Sequence, residues 1–250
     1  MGRSQTGPTR RSDRCLAPWL LPVAITLVAT FCHFLPNASA LLEFDRAAIT
    51  HGELWRLLSG HFVHFDASHL VWDVGTFVLL AGLLPPLSAR RWFVLVVGSA
   101  LFISAGVGLL QPQFEIYRGL SGIDCALFGA LLCEQFRRAR RERDRFTLAV
   151  VALASAGFVA KCGVELFKGV PVFATAGAYS TVPLAHLLGA IFGALVTRSG
   201  EASTPGRDSA ARFALLDTGR LGLSPSPSSQ TRRPNPRLAD ARACKRSARS

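Results

Sequence analysis

Apolar stretches alternating with short arginine clusters limit what this chain can become. Six stretches can be drawn, near residues 16–35, 69–84, 92–110, 121–136, 146–166 and 182–197. A helix of ~20 apolar residues crosses a bilayer, and fewer suffice where protein surrounds it. In lipid a backbone must bond its own polar groups, so such stretches read as helices. Half of the 250 residues are hydrophobic and 18% are charged, against the ~25% charged in soluble domains. Mean hydropathy is +0.31 and net charge is +12, which fit together only when charge and apolarity are segregated along the chain. The sequence therefore implies an all-α membrane protein, a bundle of six transmembrane helices. Its clusters lie between spans rather than on one soluble face, which argues against nucleic acid as partner. Cys15, Cys32, Cys125, Cys133, Cys162 and Cys244 show no CxxC spacing and mostly fall in apolar segments. They suggest neither a disulfide framework nor a zinc site, and no metal or cofactor is expected.

The second, fourth and sixth stretches are short and rich in Gly, Ala and Ser, as helices inside a bundle are. The others are longer and suit a lipid-facing position. Orientation follows the excess of Lys and Arg on the cytoplasmic side. Arg3, Arg10, Arg11 and Arg14 precede the first span, Arg90 and Arg91 follow the second, residues 137–145 follow the fourth, and the tail from Arg198 stays basic. Both termini are thus expected in the cytoplasm, with even-numbered helices running from outside to inside. The opposite side carries Arg46, Arg56, Arg118 and Lys168, with Lys161 inside the fifth span. Ala38-Ser39-Ala40 resembles a signal-peptidase site, but the apolar stretch before it exceeds the about 7–15 residues of a signal peptide, so a retained helix is expected. Three regions result: a basic N-terminus over 1–15, the helical domain over 16–198, and a basic tail over 199–250 whose Ser/Pro/Arg composition predicts disorder.

Polar groups at membrane depth are costly and therefore informative. His69 and Asp73 begin the second span, Ser121 begins the fourth, and His186 lies early in the sixth. All three helices enter from outside, so the four residues share one depth. A lone Ser in a membrane helix usually bonds its own backbone; a nucleophile and a base converging at one depth point instead to chemistry. Ser121 stands in Gly119-Leu120-Ser121-Gly122, where a helix start offers free N–H groups suited to an oxyanion. Gly189 and Gly193 follow His186 as a GxxxG face, and Gly122, Ala126 and Gly129 offer a matching face on the fourth helix.

These segments resemble the rhomboid intramembrane serine proteases, over about residues 53–195. Residues 55–64, from Trp55-Arg56 to His64, look like the family's Trp-Arg loop motif. His69 and Asp73 are spaced like its H-x-x-x-N pair, and Gly119 to Gly122 and His186 to Gly193 resemble its nucleophile and A-H-x-x-G motifs. Arg118 to Gly122 and Val182 to His186 look closest to the rhombosortase branch. The resemblance implies a catalytic dyad without an acidic third member, Ser121 as nucleophile and His186 as base. His69, Asp73 and the Ser121 amide would form the oxyanion hole, with Gly122 in support. The loop over 167–181 would cap the site, the segment over 36–64 would pack beside the bundle, and His64 would brace that segment.

Two positions depart from the family pattern. Asp73 stands where Asn is usual; desolvation would favour a protonated acid able to donate, or the residue would orient His69. Cys125 stands where an aromatic often packs on the base. Asp124 reads as a helix N-terminal charge preference. The expected activity is that of a serine endopeptidase cleaving transmembrane or C-terminal-anchor segments of single-span membrane proteins. Rhombosortase kinship would narrow these to secreted proteins with a glycine-rich C-terminal signal. The expected location is the bacterial inner membrane, with the site open to the periplasmic or extracellular side. A catalytically silent relative that binds transmembrane helices is the alternative. A transporter is disfavoured because no inverted repeat of broken helices is visible. The substrate and the oligomeric state are not legible.

Overall fold

The computed structural model describes residues 13–169 and 182–199. The expectations for the basic tail, for most of the N-terminal segment and for most of the 167–181 cap lie outside the described residues. Among the described residues, six long helices carry the fold: α1 (Asp13–Phe34), α2 (Ala67–Leu83), α3 (Ala89–Leu110), α4 (Ser121–Glu142), α5 (Arg145–Lys168) and α6 (Pro183–Ser199). Of these, α3 and α5 are long and apolar enough to cross a bilayer, while Trp19–Phe34, Ala67–Leu83 and Pro183–Arg198 are shorter apolar helices.

Local chemistry sets the ends. Asp66 caps α2 by accepting the His69 amide at 2.8 Å, and Asp144 caps α5 by accepting the Thr147 amide at 3.1 Å. Gly169 ends α5 with φ of 68°, the left-handed conformation that glycine adopts freely. α4 outruns its apolar stretch and reaches Glu142. Its polar end, from Glu134 through a run of arginines, consists of good helix formers, so helicity continues where apolarity stops. Within α3 the turn Val94–Gly98 is a π-helix, and a Cβ on Gly98 would lie 2.6 Å from the Phe192 ring.

The most extensive helix contact is between α4 and α6. A Cβ on Gly189 would collide with the Gly122 carbonyl, one on Gly193 with the Ala126 carbonyl, and one on Gly129 with the Ala190 carbonyl. Backbone therefore meets backbone along this seam, which dispersion and close approach hold together. A core of Phe77, Trp92, Leu95, Ile123 and Leu127 joins α2, α3 and α4. Outward, Leu27, Leu153 and Phe146 are 63%, 75% and 78% exposed. Such exposure on α1 and α5 is what a lipid-facing surface requires and water would penalise.

The segment between α1 and α2 is folded rather than a plain loop. Short turns at Ala38–Leu42, Arg46–Thr50 and Arg56–Ser59 lead to a 3-10 turn at Gly60–Phe62. The buried Arg56 organises them, bonding the carbonyls of Ala40 and Glu43 at 3.0 Å each and the Glu53 carboxylate at 2.7 Å. Arg46 meanwhile reaches the carbonyls of Gly108, at 2.7 Å, and Gln111, at 2.9 Å, which satisfies the end of α3. The all-helical expectation needs one amendment: Phe44–Asp45 pairs antiparallel with Ile116–Tyr117. This two-residue ladder is too short to register as an alternating pattern, yet it steers the chain into the start of α4.

Candidate active site

Ser121 occupies the first turn of α4, directly after a tight approach. Gly119 has φ of 117°, and a Cβ there would sit 2.7 Å from His69 Nε2 and 3.0 Å from Asp73 Oδ2. Only glycine fits both constraints. The Gly119 amide bonds the Gly60 carbonyl at 3.2 Å, tying the nucleophile loop to the folded segment before α2.

The α4–α6 seam brings His186 against Ser121, with Nε2 lying 3.2 Å from Oγ. That is hydrogen-bond reach for a hydroxyl donating to an imidazole. Both residues line a cavity of about 680 Å³ shared with His69, Asp73 and Tyr117. Its walls include Phe65, Trp72, Leu79, Phe128 and Phe158, apolar surfaces that suit a hydrophobic chain.

The four polar residues singled out in the sequence thus meet in one place. Gly122 supports the site through packing: its carbonyl receives Gly189 on one side, while Ile103 and Tyr117 lie against it on the other. Asp73 takes a position that sequence reasoning left open. Its Oδ2 accepts the amides of Leu120 at 2.8 Å and Ser121 at 3.1 Å. His69 Nε2 lies 3.2 Å from the same oxygen and His64 Nε2 lies 3.3 Å from it. Oδ2 is an acceptor here, in line with the orienting role rather than the donating one. His64 belongs to this cluster, beyond any bracing of its own segment.

Two residues were missed. Glu165 and Lys161 project from α5 to the far side of His186: Glu165 Oε2 lies 3.2 Å from Nδ1, and Lys161 Nζ lies 3.2 Å from the same nitrogen. Lys161 and Glu165 pair at 2.9 Å. The signal was present, since an i, i+4 Lys–Glu pair inside an apolar span is costly unless partnered. Asp124 lines the same cavity and is buried, its Oδ1 without a hydrogen-bond partner among the described residues. No group of three or more His, Cys, Asp or Glu suited to a metal occurs among the described residues.

The chemistry available is a hydroxyl beside an imidazole, with two helix-start amides and an apolar cleft. Comparison with known proteins agrees in kind. A family model described as the Rhomboid domain matches residues 51–199. A protein of Bacillus subtilis (strain 168) named "Putative rhomboid protease YdcA" is 28% identical over 116 residues. That match covers 44% of this chain and 58% of the relative, so the chain spans little more than half of the relative's length.

Proposed function

The chain belongs to the rhomboid family, an integral membrane family of intramembrane proteases, and from that premise we propose that it is an active serine endopeptidase with Ser121 as nucleophile and His186 as general base. The observation that carries this is the 3.2 Å approach of Ser121 Oγ to His186 Nε2 in an apolar-walled cleft. Ser121 Oγ bonds to the scissile carbonyl carbon as its proton passes to Nε2. The same proton then goes to the leaving amine as the C–N bond breaks. Water attacks the acyl-enzyme as its proton passes to His186 Nε2, and His186 returns that proton to Ser121 Oγ as the Oγ–acyl bond breaks and the new carboxyl group leaves. The amides of Leu120 and Ser121 are the donors best placed for the oxyanion.

The substrates proposed are transmembrane or C-terminal-anchor segments of single-span proteins, entering from the bilayer. Six spans, cytoplasmic termini and a site facing the periplasm or the exterior complete the proposal, on the strength of the arginine distribution. Rhombosortase-type processing of secreted proteins with a glycine-rich C-terminal signal rests on the Arg118–Gly122 and Val182–His186 sequences alone. One observation favours the silent relative: Asp73 holds the two amides an oxyanion needs.

Reconstituted wild type, Ser121→Ala and His186→Ala, each presented with a helical single-span substrate, separate the two. Cleavage by wild type only is expected. Binding without cleavage in wild type would select the silent relative, and cleavage surviving Ser121→Ala would remove Ser121 as nucleophile.

A further inference from the structure

Among the described residues, α5 buries only Val151, Cys162 and Glu165, although the helix is 24 residues long. A helix that turns most of its surface outward has thus turned a carboxylate inward. An ionisable group at that depth costs several kcal/mol unless partnered, and Glu165 is 2% exposed. Its partners are Lys161, one turn earlier, and His186 on α6. The Lys-before-Glu order is the weaker orientation for an i, i+4 pair, so helix stability is a poor reason for the arrangement. The destination of the carboxylate is the ring nitrogen of His186 that faces away from Ser121.

We propose that Glu165 is a positioning residue for His186, making the site a Ser121–His186–Glu165 triad in place of a bare dyad. The inference rests on the proposed protease function and adds to it. With Oε2 3.2 Å from Nδ1, Glu165 accepts the Nδ1 proton. This leaves the Nε2 lone pair facing Ser121 Oγ and stabilises the imidazolium formed when Oγ loses its proton. Cys125, where many of the family carry an aromatic that packs on the base, leaves that work to be done from α5. Lys161 offsets the carboxylate's charge, so the Glu165–Lys161 pair is neutral beside a neutral imidazole. The competing arrangement is specific: Lys161 Nζ donating to Nδ1 across 3.2 Å would place the ring proton on Nε2 and disarm the base.

The test uses the full chain in detergent or liposomes with a fluorophosphonate probe, which phosphonylates an activated serine with loss of fluoride and needs no protein substrate. Glu165→Gln keeps size and an acceptor oxygen but removes the charge; Glu165→Asp keeps the charge. Labelling of Ser121 should slow on the order of 10²-fold in Glu165→Gln, within the about 10⁴-fold ceiling known for a triad carboxylate. In Glu165→Asp it should recover to within about tenfold of wild type. The acidic limb of the rate–pH profile should move to lower pH in Glu165→Gln and to higher pH in Lys161→Met, as the sign of the charge facing the imidazole dictates. The other charged or titratable groups lining the cavity are Asp124 and Cys125 on α4, His69 and Asp73 on α2, and Tyr117 and Arg118 before α4; all are common to every variant. A merely structural Glu165 would alter melting temperature without moving that limb.

Should the variants fold poorly, ¹⁵N-histidine NMR of the wild type decides, with His186 assigned from His186→Ala. An Nδ1–H tautomer supports the triad; an Nε2–H tautomer overturns it. Equal rates and equal pH limbs in wild type and Glu165→Gln would overturn the triad and leave the protease assignment standing. Absence of Ser121 labelling in wild type would overturn both.

Discussion

Asp73→Asn should make the protein faster at neutral pH. Two amides donate to Asp73 Oδ2, those of Leu120 at 2.8 Å and Ser121 at 3.1 Å, and the Nε2 atoms of His69 and His64 lie 3.2 and 3.3 Å from the same oxygen. An oxyanion must take the two amides from this carboxylate. A hydrogen bond to a charged group is worth about 1.5–3 kcal/mol and a neutral one about 0.5–1.5. Asparagine thus releases each amide for about 1 kcal/mol less, or about 2 kcal/mol for the pair. At about 1.4 kcal/mol per factor of ten this is about 30-fold in acylation rate. Removing a negative charge beside a developing oxyanion acts in the same direction. Asparagine has the same shape, so the contact with Gly119 survives. The assay is stopped-time fluorophosphonate labelling of Ser121 at pH 7, with thermal unfolding of each variant measured alongside. A variant equal to or slower than wild type with unchanged unfolding would refute the reasoning. Asp73 would then earn its place by orienting the histidines and the nucleophile loop.

Gly189→Ala drives a methyl into the Gly122 carbonyl, and overpacking of this kind costs about 1–3 kcal/mol; labelling rate and melting temperature should fall together. Arg56→Ala leaves the Ala40 and Glu43 carbonyls and Glu53 without their guanidinium. Detergent thermal scans should show a loss of about 3 kcal/mol or more, at about 1–3 kcal/mol per orphaned group. Thr147, through its hydroxyl and amide, holds the partly exposed Asp144 carboxyl below its usual 3.8. A carboxyl lowered in the folded state stabilises above the unfolded value and loses that contribution as pH falls through the folded one. Protection factors of the amides in the first turn of α5, taken against intrinsic exchange at each pH, should therefore be lower at acid pH than at neutral pH in wild type. In Asp144→Asn that acid-induced loss should vanish.

Much of the site was legible because its signals are local. The glycines around Ser121, and the Gly189–Gly193 spacing after His186, are sequence neighbours of the groups they serve. The Lys161–Glu165 spacing signals that the pair needs a partner but not which one, because that partner lies on another helix and the rotation of α5 decides whether Glu165 meets His186. Hydropathy constrains that rotation weakly when most of a helix faces outward. His64 was assigned to its own segment because its approach to Asp73 depends on how that segment folds against α2. The strand pair escaped notice for its brevity, and the polar end of α4 because apolar length was taken as helix length.

The seam between α4 and α6 also sets a clock. Ser121 and His186 are 65 positions apart, and a ribosome adding about 5–20 residues per second needs about 3–13 s to make that stretch. Throughout this interval the hydroxyl has emerged without its base. Because Gly189 and Gly193 must seat against the α4 backbone before imidazole meets hydroxyl, it is the arrival of α6 that completes the proposed dyad. On the proposed dyad, a nascent or truncated chain ending before α6 carries Ser121 without His186, and its membrane neighbours would be spared until assembly is finished.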